Sequence, residues 1–327
     1  MRTDDVLGPP YEQQTIQLAT DFEGEVVATL VRLRAPAPTH RAVLYLHGYV
    51  DYFFQTHLAE FYTSAGFDFY ALDLRKHGRS LRAHQTPNYC SDLSEYYPEI
   101  DEAVRIIRET DNHDILLLNG HSTGGLIGAL WAHDRRESAL IQGLFLNSPF
   151  FRFNEPALVL HTVGRLVNVI GARRPLRKLP QELGTTYGLS IHRDHHGEWA
   201  YDLAWKPLNG FPIYAGWARA VSQGHRRVQR GLAIDVPILV MHSARSYKGR
   251  FSEAAHHADS VLNVRDMIRY APRLGRDVTV IGIEGGKHDL CLSAEPVRAR
   301  FFAEVRKWLD EKLPLAGTGE VQQAVRS

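Results

Sequence analysis

The sequence predicts an α/β fold: a mostly parallel central sheet flanked by helices, with a helical cap insertion. Three observations carry this. Short apolar runs of strand length alternate with stretches of helical periodicity, which implies strands covered on both faces. A G-x-S-x-G pattern, Gly120 to Gly124, stands where one such run gives way to a helix. Residues 151–232 break the rhythm, so the expected layout is a core of 1–150 and 233–313, a cap of 151–232 and a loose tail of 314–327.

The strands come first. Residues 26–33 (VVATLVRL) have strand length and β-branched content. The runs 42–46 (AVLYL), 67–72 (FDFYAL), 115–118 (ILLL) and 143–146 (GLFL) follow, and 236–241 (VPILVM) and 278–283 (VTVIGI) come late. Between them, 57–65 leads into Gly66, a C-terminal stop. Residues 97–110 place Ile100, Val104 and Ile107 at helical spacing, with Pro98 in the first turn. Residues 296–313 put Val297, Phe301, Val305, Trp308 and Leu309 on one face and basic residues on the other. The stretch 151–232 carries Trp199, Trp205 and Trp217 and the polar run 191–198 (IHRDHHGE), and is read as helical and lying over one end of the sheet.

Composition narrows the function. The 327 residues are 44% hydrophobic and 23% charged, the balance of an ordinary globular protein. Thirty-eight basic residues against thirty-seven acidic ones give a net charge of +1, without the basic excess of a nucleic-acid binder. No apolar run reaches the roughly 18 residues of a membrane helix. The N-terminus shows no secretory pattern, and two cysteines, Cys90 and Cys291, cannot make a disulfide framework; a cytoplasmic location is expected.

The chemistry centres on Ser122. Between a strand and a helix, G-x-S-x-G places the serine on a sharp turn with its hydroxyl raised above the sheet, and the helix start offers free N–H groups to a developing oxyanion. Such a serine needs a base and an acid, in the order Ser, acid, His. Of seventeen histidines, His288 is chosen because it follows the strand 278–283 and precedes the last helix. Three carboxylates compete for the acid: Asp235, Glu253 and Asp259. Asp235 lies before its strand and Glu253 sits in a patternless polar stretch. Asp259 is preferred, with Asp266 as the fallback. The oxyanion donors are expected to be the backbone N–H groups of Thr123 and of Tyr49, the latter aimed by the turn at Gly48. His47 is read as structural. The His192, Asp194, His195 and His196 group lacks a metal-site spacing and is read as a polar cap loop, and Cys291 as a small buried residue.

Taken in order, LYLHGY at 44–49, ALDLRKHGRS at 71–80, GHSTGG at 120–125, NSP at 147–149, VPILVMHS at 236–243 and GGKHDL at 285–290 resemble the α/β-hydrolase superfamily. Within it they are most similar to the monoacylglycerol lipase and lysophospholipase group, also called serine aminopeptidase-like hydrolases. The resemblance implies the α/β-hydrolase fold, Ser122 as nucleophile, His288 as base, and Tyr49 and Thr123 as oxyanion donors. It implies no metal and no organic cofactor. Asp73, Arg75, His77 and Gly78 resemble the structural loop beside the site, with Lys76 where the family usually has Gly. The family's acid falls four residues after the His of its HG; here Ser246 stands at that place, and Asp259-Ser260-Val261 looks like the same element displaced by 13 residues.

The implied activity is hydrolysis of small-molecule carboxylic esters such as monoacylglycerols or lysophospholipids, with no nucleic-acid partner. Contact with a lipid surface is expected to be transient at most, since no strongly amphipathic basic helix stands out. Two alternatives remain at this point. An aminopeptidase or amidase needs an acidic or carbonyl anchor for the substrate amine, which the sequence does not place. A non-catalytic binding protein on the same fold is opposed by the intact Ser122 and His288.

Overall fold

A computed structural model describes residues 2–180 and 183–314. All but the first residue of the tail expected at 314–327 lies outside the described residues. The apolar runs form the central strands: Val27–Leu33 (β3), Arg41–Leu46 (β4), Asp68–Asp73 (β5), Ile115–His121 (β6), Gly143–Asn147 (β7) and Ile238–Ser243 (β8). Nearly every residue in them is buried, as continuous apolar strands require. Val278–Ile283 (β9) is partly exposed because it closes one edge. At the other edge lie Thr3–Asp4 (β1) and Glu12–Gln17 (β2), which the sequence reading missed. EQQTIQ is a polar string, and only pairing with β3 makes it a strand.

Among the described residues the nine strands form one sheet in the order β1-β2-β3-β5-β4-β6-β7-β8-β9. The pairs from β1 to β5 are antiparallel, and every pair from β5 through β4 to β9 is parallel. The period of two sends alternate side chains into two cores. Leu44, Leu46, Leu116 and Leu118 face one; Val43, Tyr45, Leu117 and Phe145 face the other. The first core is covered by Tyr97–Arg105 (α2), Thr123–Asp134 (α3), Ala215–Arg230 (α6) and Val264–Tyr270 (α7). The second is covered by Thr56–Ser64 (α1) and Glu295–Lys312 (α8). The helix expected over 97–110 ends as an α-helix at Arg105 and widens into a π-turn over Ile106–Thr110.

Ala157–Arg173 (α4), Thr186–Ile191 (α5) and α6 all come from the stretch between β7 and β8. α4 packs on α6 where Gly171 meets the Ala215 carbonyl. Among the described residues no helix is long and apolar enough to cross a membrane.

Candidate active site

β6 stops at His121 and α3 starts at Thr123, leaving Ser122 alone at the corner with φ 51° and ψ −115°. That backbone is unfavourable for a residue with a Cβ. Neighbouring hydrogen bonds hold it: Ser122 N–H donates to the Asn147 carbonyl (3.0 Å), and the Ser122 carbonyl accepts from Phe150 N–H (3.0 Å). The corner also needs Gly124, since a methyl group there would stand 2.3 Å from the His47 carbonyl oxygen. The same closeness brings the loop after β4 onto the serine: a methyl group on Gly48 would lie 3.1 Å from Ser122 Cβ.

His288, after β9, places Nε2 3.0 Å from Ser122 Oγ and Nδ1 2.8 Å from Asp259 Oδ2. An ionised carboxylate only accepts, so Nδ1 carries the proton and Nε2 accepts from the serine hydroxyl. Asp259 is fully buried. Its Oδ1 takes the N–H groups of Val261 (2.8 Å) and Leu262 (2.7 Å), which fixes Oδ2 toward the imidazole. The 13-residue displacement has a structural counterpart. The chain loops out after Ser246 and returns so that Ser246 and Asp259 form a parallel bridge. Tyr247 N–H donates to the Asp259 carbonyl and Asp259 N–H to the Arg245 carbonyl. The other carboxylates lead elsewhere. Asp266 pairs with Arg152 at 3.3 Å, Glu253 is exposed beside His257, and Asp235 precedes the far end of β8.

Tyr49 and Thr123 both line the cavity beside Ser122, Thr123 as the first residue of α3. His47 is occupied structurally, with Nε2 accepting from Leu74 N–H at 3.0 Å. In the 71–80 segment, Asp73 accepts from Phe53 and Arg79, and Arg75 forms a buried pair with Glu99 at 2.6 Å. Lys76 has φ 61°, the region where glycine is easiest, and its Nζ bridges Asp21 and Glu23, each at 2.6 Å. His192 is buried and accepts from Asp194 N–H at 3.2 Å, while His196 stacks on Phe251. Among the described residues no group of three or more His, Cys, Asp or Glu side chains is placed to hold a metal ion.

Several neighbours have no role in the sequence reading: Lys206, Asp51 and Tyr187 come from segments far from Ser122 and His288, while His121, Lys287 and Asp289 adjoin those two residues and show their part only through folded contacts. Lys206 Nζ donates to Asp51 Oδ1 at 2.7 Å, and Asp51 Oδ2 accepts from Gly48 N–H at 3.4 Å. Asp289 is fully buried. Burial pushes its carboxyl up, but the nearby His121 and hydrogen bonds from Cys291 N–H, Gln55 and Asn147 outweigh this and hold it below the usual range. Burial pulls the His121 imidazole down. Lys287, whose ammonium burial also pulls down, donates to the Ser190 carbonyl at 2.7 Å. Tyr187 stands edge-on to His288 at 5.5 Å between ring centres. Above these groups is a cavity of about 780 Å³, walled by apolar residues such as Leu160, Val167 and Ile213 and by Trp217, which lies 4.0 Å from the Tyr49 ring.

This sheet, with a serine corner after β6 and a histidine loop after β9, is the α/β-hydrolase fold. The chain belongs to the family described as serine aminopeptidase, S33, which matches residues 37–295. A monoacylglycerol lipase of Mycolicibacterium smegmatis is 29% identical over 207 residues, 61% of this chain and 68% of that protein. The crystal structure of Paleococcus ferrophilus monoacylglycerol lipase superposes with a TM-score of 0.64 at 21% identity, covering 86% of this chain and 99% of that one. A soluble variant of monoglyceride lipase from Saccharomyces cerevisiae, in complex with a substrate analog, also gives 0.64, at 14% identity over 92% and 96% of the two chains.

Proposed function

We propose that this protein is a serine hydrolase of carboxylic esters, acting on monoacylglycerols, lysophospholipids or similar acyl esters. The observation that carries the reading is the continuous hydrogen-bonded run from Ser122 through His288 to buried Asp259. In this reading His288 Nε2 takes the hydroxyl proton as Ser122 Oγ attacks the ester carbonyl. The Tyr49 and Thr123 N–H groups receive the oxyanion, and the imidazolium, stabilised by Asp259, protonates the departing alcohol. Water, deprotonated by the same imidazole, then attacks the acyl-enzyme and releases the acid. The family membership and the similarity to a monoacylglycerol lipase support the substrate class.

Residues 151–232 are taken as the cap in this reading, since α4, α5 and α6 all contribute to the cavity wall. Val159 and Val163 of α4 line the cavity and are also exposed, next to exposed Leu158 and Leu166. An apolar face continuous with the cavity suits transient contact with the lipid surface that holds such esters. The free, buried Cys90 and Cys291 suit a cytoplasmic setting.

The test is labelling with a fluorophosphonate probe, followed by turnover of a monoacylglycerol and of an aminoacyl p-nitroanilide. Wild type is expected to label and to cleave the ester. Ser122→Ala and His288→Ala, checked for folding, are expected to do neither. Cleavage of the anilide in preference to the ester moves the reading to an amidase. Absence of labelling and of all turnover refutes the hydrolase.

A further inference from the structure

The loop after β4 carries Tyr49, whose backbone N–H receives the oxyanion in the proposed reaction, and its backbone is strained. Val50 has φ 51°, a region that β-branched side chains avoid. Such a conformation persists only where surrounding contacts over-determine it. Here they come from the segment between β7 and β8. Lys206 Nζ donates to Asp51 Oδ1 at 2.7 Å and to the Val50 carbonyl at 3.4 Å. The other Asp51 oxygen accepts from Gly48 N–H at 3.4 Å, so one ion pair spans the loop from Gly48 to Asp51. Both partners are buried.

Neighbouring residues fix Lys206 in turn. Its backbone N–H closes a turn on the Asp202 carbonyl at 2.9 Å. Asp202 N–H donates to the Tyr52 hydroxyl at 2.7 Å, and Trp205 stands edge-on to the Tyr52 ring at 5.1 Å between centres. At the other end of the loop, the Tyr49 ring lies 4.0 Å from Trp217 of α6, and its hydroxyl donates to the Pro212 carbonyl at 3.4 Å. Residues 49–52 are therefore gripped at both ends by residues 202–217. The charge-assisted bond from Lys206 is the strongest of these contacts. Lys206 lines the cavity alongside Ser122 and His288, and its hydrogen bonds run to the loop.

We propose that Lys206 is a positioning residue for the oxyanion: through Asp51 and the Val50 carbonyl it holds the Tyr49 N–H in place as charge develops on the substrate carbonyl oxygen. The proposal rests on the ester-hydrolase reading and adds to it a residue outside the Ser-His-Asp run. The test is steady-state kinetics of the full chain on p-nitrophenyl butyrate. Lys206→Met is expected to lower kcat about 30-fold with KM within about threefold of wild type, since a displaced donor costs less than the roughly 100- to 1,000-fold of a lost one. A trifluoromethyl ketone, whose hemiketal with Ser122 carries an oxyanion, is expected to bind more weakly by the factor that kcat/KM falls. Lys206→Met with Asp51→Asn separates positioning from stability: the urea midpoint is expected to recover toward wild type while kcat stays low. A kcat that recovers with the midpoint gives Lys206 a structural role only and overturns the proposal. So does an unchanged kcat in Lys206→Met, with or without a raised KM. If neither variant folds, Tyr52→Phe, which removes only the bond to Asp202 N–H, is expected to lower kcat about threefold at constant KM, and an unchanged kcat there overturns the proposal. In each of these cases the hydrolase reading stands. No turnover of any ester by wild type, with no fluorophosphonate labelling, overturns both.

Discussion

At Ser122 a strained backbone and a hydrogen-bonded imidazole meet in one residue. The φ of 51° is kept because β6, β7 and α3 all constrain it, so the hydroxyl stays raised toward His288 without freedom to turn away. In the proposed mechanism Asp259 fixes which imidazole nitrogen carries the proton, through its 2.8 Å contact with His288 Nδ1. Asp259→Asn presents an amide that can donate to Nδ1 and select the wrong tautomer. Its kcat on a p-nitrophenyl ester is expected to fall on the order of 10⁴-fold with the fold intact. Asp266→Asn, which touches Arg152 instead, is expected to stay within about threefold. Steady-state kinetics of the two variants distinguish them. Lys76 makes a related point: a residue stands at positive φ where glycine is usual, and two carboxylates hold it there.

Elements explain why some of the site was readable and some was not. The central strands announce themselves because strands buried on both faces must be apolar throughout. Ser122 and His288 follow from their places after two of those strands. Asp259 is harder, since it belongs to the end of β8 only through a loop that leaves at Ser246 and returns beside it. Lys206 and Asp51 carry no signal at all, because what they do depends on contacts between segments far apart in sequence. The Lys206–Asp51 pair joins the stretch before α6 to the loop after β4. Lys206→Met leaves a buried carboxylate unpaired, with an expected cost of about 3–5 kcal/mol in urea unfolding, and Lys206→Met with Asp51→Asn is expected to recover most of it. Asp289 gives a pH test of the β9–α8 connection. Its folded pKa is depressed, so its stabilisation is present above the unfolded value near 3.9 and is lost as pH falls through the folded value. Asp289→Asn is therefore expected to melt below wild type at pH 7, with the gap closing toward pH 3.

Across the whole molecule, the parallel strands bring Ser122, His288 and the loop after β4 together at the strands' carboxyl ends, and helices of 151–232 wall the cavity there. α4 has apolar residues toward the cavity and toward solvent: Leu158 is 75% exposed and Leu166 59%. Exposed apolar surface next to a binding cavity marks an interaction face. Esters in lipid aggregates must leave the aggregate to reach Ser122, whereas a soluble short-chain ester diffuses in unaided. Leu158→Gln with Leu166→Gln removes apolar area without touching the serine, histidine or cavity floor. The double variant is expected to lose about tenfold in turnover of monoacylglycerol presented in vesicles, from two exposed side chains whose full insertion into lipid is worth about 1.5–3 kcal/mol each, discounted for partial insertion. Its kcat/KM on p-nitrophenyl butyrate is expected to match wild type. Equal losses on both substrates would place the defect in the cavity instead, and no loss on vesicles would remove α4 from any role at a lipid surface.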